Sequence, residues 1–204
     1  MVLLEILITK LILAAVMTFA GSLWIDKLYS SSNELSFPEE ISKRARFRKP
    51  ILFISFLCFN MFGDLWIMAA IFLLMLMTVT DFEQYMLFDA MTLPLAFLGA
   101  VYVWQMNLNF QNHAAAAFIG GLVFLLLSIL SKGSLGGGDI KLIAALGLWL
   151  GALKLLYVVL IGTIIGGLMA VFIILVKKKD RSSYFAYGPY FTLTAIYFLL
   201  EKFF

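Results

Sequence analysis

The amino-acid sequence predicts an all-α membrane protein with about eight transmembrane helices. Hydrophobic residues make up 63% of the 204-residue chain and charged residues only 13%, and the mean hydropathy is +1.02. Apolar runs long enough for membrane helices recur along the chain, and most charged residues fall between them. This composition excludes an ordinary soluble domain, and nothing in it points to a nucleic-acid partner.

Apolar runs set the approximate bounds of the expected helices. These are 2–24, 50–63, 65–82, 90–107, 113–131, 140–152, 154–176 and 187–203. The second and sixth are short for a full span, which predicts little tilt, local thinning of the bilayer or partial insertion. The first carries Glu5 and Lys10 and has no basic stretch before it, which favours a membrane helix over a secretory signal. No stretch is polar enough for a separate soluble domain, so 1–204 is predicted to be a single integral membrane domain.

Lys and Arg residues are distributed unevenly between the two sides of the predicted membrane. With the N-terminus outside, twelve of them fall in the cytoplasmic segments and two on the opposite side. Positive charge concentrates in cytoplasmic segments, so this orientation is the predicted one. The richest segment, 25–49, is predicted to be a short basic cytoplasmic loop that orients the protein and contacts anionic lipid of the bilayer. An alternative is that its SKRARFRK cluster receives acidic residues of a substrate or of a secretion machinery.

Three carboxylates reach the cytoplasmic edge in this topology: Asp81, Asp89 and Asp139. Acidic residues at the end of an apolar span are costly and usually face protein or a water-filled cavity. Two of them also have a simpler interpretation, because Asp81 could mark a helix end and Asp139 could cap the next helix. Two aspartates within hydrogen-bond reach cannot both ionise, and such a pair activates water against a carbonyl and then protonates the leaving amine.

Three glycines, Gly136, Gly137 and Gly138, stand directly before Asp139. Because they have no side chains, they let the backbone adopt positive φ and approach another segment closely. Space beside an acid suits an extended peptide substrate. A phosphate-binding loop is a poor alternative, because no strand precedes the glycines and no Gly-Lys-Ser/Thr ending follows them.

Three motifs together resemble the prepilin peptidases, bacterial members of the Gly-x-Gly-Asp membrane aspartic proteases. They are VTDFEQYMLFDAMTLP at 79–94, GGGDIKLIAALGLWLG at 136–151 and AYGPYF at 186–191. The resemblance covers about 50–200 of the chain. It implies a catalytic dyad of Asp81 and Asp139 that cuts the short basic leader from type IV prepilins or pseudopilins. The expected location is the cytoplasmic face of the bacterial inner membrane, with pilus or type II secretion machinery as further partners.

The resemblance also implies supporting roles near the dyad. Gly136, Gly137, Gly138 and Lys141 belong to the Gly-x-Gly-Asp-x-Lys-Leu motif and are expected to shape the substrate loop. Asp89 is expected to be a supporting acid or a helix N-cap. Phe88 stands where the family usually has proline, a departure expected to alter the turn but not the reaction.

Larger members of that family carry paired Cys-x-x-Cys motifs, associated with zinc and with N-methylation, in an N-terminal cytoplasmic loop. The only cysteine here, Cys58, lies inside an apolar run instead. We therefore expect neither a metal site nor methyl transfer, and S-adenosylmethionine would be a cofactor only if a bifunctional peptidase/N-methyltransferase were retained.

Two other functions remain open from the residues alone. A transporter or ion channel also uses acids in glycine-broken helices, but no internal repeat is visible and the acids lie at one membrane edge rather than at the midplane. The second alternative is an inactive relative of the peptidases that serves as an assembly factor. His113, in the polar stretch QMNLNFQNH, is expected to be an exposed loop residue.

Overall fold

The structure, a computed structural model, describes residues 2–59, 64–131, 135–177 and 185–201. Its regular elements, within these ranges, are all helical, which confirms the predicted fold class. The α-helices are α1 Val2–Ser31, α2 Ile41–Arg44, α3 Arg48–Phe59, α4 Leu65–Gln84, α5 Asp89–Gln105, α6 Phe110–Leu130, α7 Gly137–Lys177 and α8 Gly188–Leu200, with 3₁₀ turns at Pro38–Glu40 and Ala45–Phe47.

Four helices, α1, α4, α6 and α7, are long and apolar enough to cross a membrane by length and composition. The count of about eight spans is therefore not confirmed. Helices α3, α5 and α8 have 12, 17 and 13 residues, and at a rise of about 1.5 Å per residue the first reaches only about 18 Å of a hydrocarbon layer about 30 Å thick. The predicted ends at 63 and 203 lie outside the described residues.

Helix α7 consists of two helical segments joined at Gly151, whose φ of 71° and ψ of 177° are not helical. Only glycine adopts these angles readily. The second segment runs antiparallel to α8, since Lys154 pairs with Glu201 at 2.7 Å near one end and Gly166 lies against the ring of Tyr187 near the other. The predicted division between the sixth and seventh helices falls two residues from this break.

His113 stabilises the break, and the prediction that it is an exposed loop residue is wrong. It lies in the first turn of α6 with only 8% of its surface exposed. Its Nδ1 is 2.8 Å from the Leu148 carbonyl oxygen, close to where Gly151 interrupts the helical hydrogen-bond pattern. Because a carbonyl only accepts, Nδ1 must carry the proton.

Helix α4 lies at the centre of the bundle and is the most enclosed helix. Every residue from Leu73 to Asp81 is buried. Helices α3, α5 and α8 pack around it, and the hydroxyl oxygens of Thr78 and Thr192, 2.6 Å apart, link it to α8. Its polar residues therefore face protein, as the cost of exposing them to lipid requires.

The segment 25–49 is not one open loop. Residues 25–31 are the last turns of α1, short helical turns follow, and α3 begins at Arg48. Arg48 is only 3% exposed, so lipid contact does not hold for it, whereas Lys43, Arg46 and Lys49 are exposed. The other basic loop expected between α7 and α8 lies almost wholly outside the described residues.

Replacing His113 by Leu should destabilise the protein by about 1–3 kcal/mol, the usual effect of leaving one buried polar group without a partner. Thermal or denaturant unfolding of the purified protein in detergent would measure this. His113→Gln retains an N–H donor and should lose less. A Leu variant as stable as the native protein would show that the contact with the Leu148 carbonyl adds nothing.

Candidate active site

Asp81 lies in the last full turn of α4 with only 6% of its surface exposed. The backbone N–H of Gly188, at the start of α8, faces its carboxyl group. A Cβ atom on Gly188 would stand 2.7 Å from the Asp81 Oδ2 atom, so only glycine allows α8 to come this close. Oδ2 itself has no hydrogen-bond partner among the residues that the structure describes. A buried acceptor left in this state is rare and calls for an explanation.

Asp139 is the third residue of α7 and is half-buried. Its backbone N–H donates to the Gly136 carbonyl oxygen at 3.1 Å, and the Gly136 N–H faces the Asp139 carboxyl group in return. This reciprocal arrangement is that of the third residue in a capping box. The helix therefore begins at the glycines, and Asp139 lies within its first turn rather than at the N-cap.

The structure brings Asp81 and Asp139 together although 58 positions separate them. The two carboxyl groups are close enough for their charges to interact. Leu87, in the turn between α4 and α5, helps to join their helices. A Cβ on Gly138 would stand 2.8 Å from the Leu87 Cβ, and a Cβ on Gly188 would stand 3.3 Å from the Leu87 Cδ2. Leu87 thus packs against both Gly138, which precedes Asp139, and Gly188, which contacts Asp81.

The glycines before Asp139 matter because they have no side chains to fill the space beside the backbone. Close approach to another segment is confirmed at Gly138, whereas the positive φ that the three glycines permit is not adopted by them, because Gly151 is the only described glycine with such an angle. Gly137 and Gly138 are the first two residues of α7 and Gly136 directly precedes them, so the backbone there follows a regular helix start. Beside Gly137 a Cβ would meet no described atom within 4 Å.

Asp89 and Lys141 form an ion pair at the same edge. The Lys141 Nζ donates to both carboxylate oxygens of Asp89, each at 2.7 Å. Both side chains are more than half exposed. The pair joins the first turn of α5 to that of α7. Asp89 is not the N-cap of α5, because Phe88 occupies that position.

A cavity of about 480 Å³ opens next to this ion pair. Its wall includes Glu34, Asp89 and Lys141 together with Gly137 and Gly138, and Asp139 follows directly in the chain. The glycines present bare backbone there. The cavity therefore opens beside the first turn of α7, the turn that carries Asp139. The described residues contain no group of three or more His, Cys, Asp or Glu side chains arranged to hold a metal ion.

Sequence reasoning missed two parts of this site. Gly188 was visible only as part of the AYGPYF motif, and nothing in that motif states that its glycine lies on Asp81. Glu83 was also missed, although an acid two positions after Asp81 in an apolar helix was a signal of a buried polar cluster. It is 5% exposed and bound to Arg48.

Residues 67–171, just over half of the chain, match the model of the type IV leader peptidase family. This range contains Asp81, Asp89 and Asp139 but not Gly188. No solved structure matches the chain at a significant level.

Curated relatives carry the name prepilin leader peptidase/N-methyltransferase. The protein from Xanthomonas campestris is 31% identical over 129 residues, which cover 59% of this chain and 44% of the relative. That from Neisseria gonorrhoeae is 33% identical over 124 residues, 58% of this chain and 42% of the relative. That from Pectobacterium carotovorum is 28% identical over 158 residues, 71% and 57% respectively. The chain spans about half the length of the curated relatives it matches.

Replacing Gly138 by Ala should lower the melting temperature, because the new Cβ would stand 2.8 Å from the Leu87 Cβ and overpacking of this kind costs about 1–3 kcal/mol. Gly137→Ala is the matched control one position away. It meets open space and gains helix propensity, so it should be neutral or stabilising. Equal melting temperatures for the two variants in detergent would contradict the close approach of α7 to Leu87.

Proposed function

The chain belongs to the type IV leader peptidase family, and we propose that it is a membrane aspartic endopeptidase that removes the leader of type IV prepilins or pseudopilins. The observation that carries the proposal is the buried Oδ2 of Asp81, which has no hydrogen-bond partner in the described part of the chain and lies beside the carboxyl group of Asp139. The names of the relatives supply the substrate class.

The proposed reaction uses Asp81 and Asp139 as a pair that shares one proton. Two carboxyl groups held close together away from water cannot both keep a charge, so one is ionised and the other protonated. The ionised member takes a proton from water, whose oxygen attacks the carbonyl carbon of the scissile bond. The protonated member gives its proton to the carbonyl oxygen. When the carbon–nitrogen bond breaks, the carboxyl group that took the proton from water gives it to the leaving amine, and the other carboxyl group takes a proton back from the tetrahedral intermediate. The reaction consumes one peptide bond and one water, and both carboxyl groups return to their starting protonation states.

The partner-free oxygen of Asp81 supports this role. A carboxylate that serves only to hold the fold has its lone pairs filled by protein donors. Here Gly188 brings backbone close on one side without adding a side chain, and the Oδ2 lone pairs stay free for water or for the shared proton. Bare backbone at Gly136 and Gly137 leaves room for an extended substrate. Lys141 and Asp89 are proposed to fix the edge of this substrate loop.

The same end of the molecule carries the acids and the basic segment. Arg44 and Arg48 both bind Glu83, two residues after Asp81. If positive charge marks the cytoplasmic side, this end faces the cytoplasm of the bacterial inner membrane and the N-terminus lies outside. A substrate whose apolar helix lies in the bilayer would then present its leader in water at this level. Pilus or type II secretion machinery would be the further partner on that side.

Asp81→Asn and Asp139→Asn should each lower cleavage of a co-expressed prepilin on the order of a thousandfold, since each removes a group that transfers a proton. Cleavage would be followed in membranes by the mobility of the pilin at matched enzyme levels. Asp89→Asn should keep measurable activity, because it disturbs only an exposed ion pair.

Glu201→Gln is the matched acid-to-amide control, since Glu201 pairs with Lys154 far from the acids in sequence, and it should cleave like the native protein. Native-level cleavage by either the Asp81 or the Asp139 variant would refute the two-aspartate mechanism. If the native protein cleaved none of several prepilins, transport or assembly would become the better proposal.

A further inference from the structure

The segment 37–48, which ends at the first residue of α3, contacts the last turn of α4. Three of its residues, Phe37, Arg44 and Arg48, contact Glu83, Gln84 and Tyr85, which follow Asp81 closely in the chain. We call these three residues the clamp. None of them belongs to the acid pair or to the cavity beside it, so the reaction proposed above leaves their arrangement unexplained.

Glu83 is at the centre of these contacts. The Arg48 guanidinium donates from Nε to Oε1 at 2.9 Å and from Nη2 to Oε2 at 2.6 Å. The Tyr29 hydroxyl donates to Oε2 at 3.0 Å, and Arg48 also donates to Asp26. Donors from α1 and α3 therefore hold one carboxylate of α4, and both charged partners of the central pair are less than 6% exposed.

The Gln84 side chain and the Glu83 backbone make further hydrogen bonds with the clamp. The Gln84 side chain accepts from the Phe37 N–H at 2.8 Å and donates to the Phe37 carbonyl oxygen at 3.2 Å, so one amide binds both backbone groups of one residue. Arg44 donates to the Glu83 carbonyl oxygen at 3.1 Å. That oxygen is one of the last four of the helix, which lack intrahelical donors and favour a cation.

The Arg48–Glu83 pair lies on the side of α4 opposite to Asp81. Residues two apart on an α-helix point about 200° apart, so Glu83 faces α1 and α3 while Asp81 faces α8. Tyr85 then ends the helix in the left-handed region, at φ 53°, and its ring lies against Phe37 with centroids 5.4 Å apart. Its N–H donates to the Asp81 carbonyl oxygen at 2.9 Å. The helical turn that carries Asp81 is thus fixed by contacts that its neighbours Glu83 and Tyr85 make.

A buried ion pair such as Arg48–Glu83 is a poor device for stability alone. The cost of removing both charges from water commonly equals their attraction, and apolar replacements are often as stable. What a bidentate Arg–carboxylate pair provides is direction, since two parallel hydrogen bonds fix the rotation of one group against the other. The rotation fixed here is that of the helical turn that contains Asp81.

We propose that Glu83 and Arg48 are positioning residues for Asp81: the buried pair sets the rotation of the last turn of α4 and so directs the Asp81 carboxyl group toward Asp139 and the substrate. This inference rests on the proposed peptidase function. A misplacement of about 1 Å at a reacting group can lower the rate on the order of a hundredfold while leaving binding intact.

Glu83→Gln should therefore lower kcat about 10- to 100-fold with KM changed less than about threefold, and it should displace the pH dependence of kcat. A merely structural role would reduce the amount of active enzyme and leave KM and the shape of the pH profile unchanged. Arg48→Lys should behave like Glu83→Gln, because an ammonium group cannot form the bidentate pair.

Glu201→Gln is the matched control, since it also removes a carboxylate from an ion pair, and its partner Lys154 does not belong to the clamp. It should match the native protein in all three measurements. If Glu83→Gln does not fold, the double variant Arg48→Met, Glu83→Leu keeps the packing and removes the directional pair, and the same kinetic change is expected. Native kcat and a native pH profile in a folded variant would overturn the inference.

A labelling experiment separates this inference from the proposed function. In a Cys58→Ser background, a cysteine introduced by Asp81→Cys should react slowly with a water-soluble maleimide, because position 81 is buried. Adding Glu83→Gln should raise the labelling rate at least about fivefold, and adding Glu201→Gln should not. If the native protein cleaves no prepilin, the peptidase proposal fails and the labelling rates still decide the inference. An unchanged rate on adding Glu83→Gln refutes it.

Discussion

The rest of the structure depends on the burial of a carboxyl group at the end of an apolar helix. Asp81 carries a group that water solvates strongly, and α4 withdraws it from water without supplying a full set of donors. Such a group needs backbone close by rather than side chains, and this explains why Gly188 and Gly138 lie where the bundle closes around it. The positions of α7 and α8 follow from that requirement, since a single methyl group on either glycine would push Leu87 or the carboxyl group away.

The last turns of α4 carry two carboxylates that differ in how many hydrogen-bond donors surround them. Glu83 is bound by Arg48 and Tyr29, whereas an oxygen of Asp81 has no partner within the described part of the chain. Their side-chain chemistry is the same, so the difference comes from the neighbouring helices. A saturated carboxylate has no lone pair left for a reaction and can only hold geometry. A carboxylate with an unfilled lone pair costs stability, and that lone pair stays open to water or a proton.

Features that depend on local composition could be predicted from the sequence, and features that depend on tertiary approach could not. Apolar length and the change from apolar to acidic residues are local, so the helices and the three acids at one edge were predictable. The ion pair between Arg48 and Glu83 joins segments 35 positions apart, and a basic cluster beside a membrane helix looks the same whether or not one arginine turns inward. His113 was misjudged for the same reason, because its partner exists only where Gly151 interrupts α7.

Glycine has the same physical role in helix packing and at the acid pair: its missing Cβ allows close approach. Positive φ occurs at Gly151 alone among the described glycines, so elsewhere their value lies in the missing Cβ. At Gly147 such an atom would stand 2.5 Å from the backbone of Ala117, and α6 and α7 could not pack as they do. Apolar helices gain little from burying apolar surface inside lipid, and close backbone approach through small residues replaces that gain. The acid pair uses the same device: helices that can touch through glycine can also bring two carboxyl groups together without side chains between them.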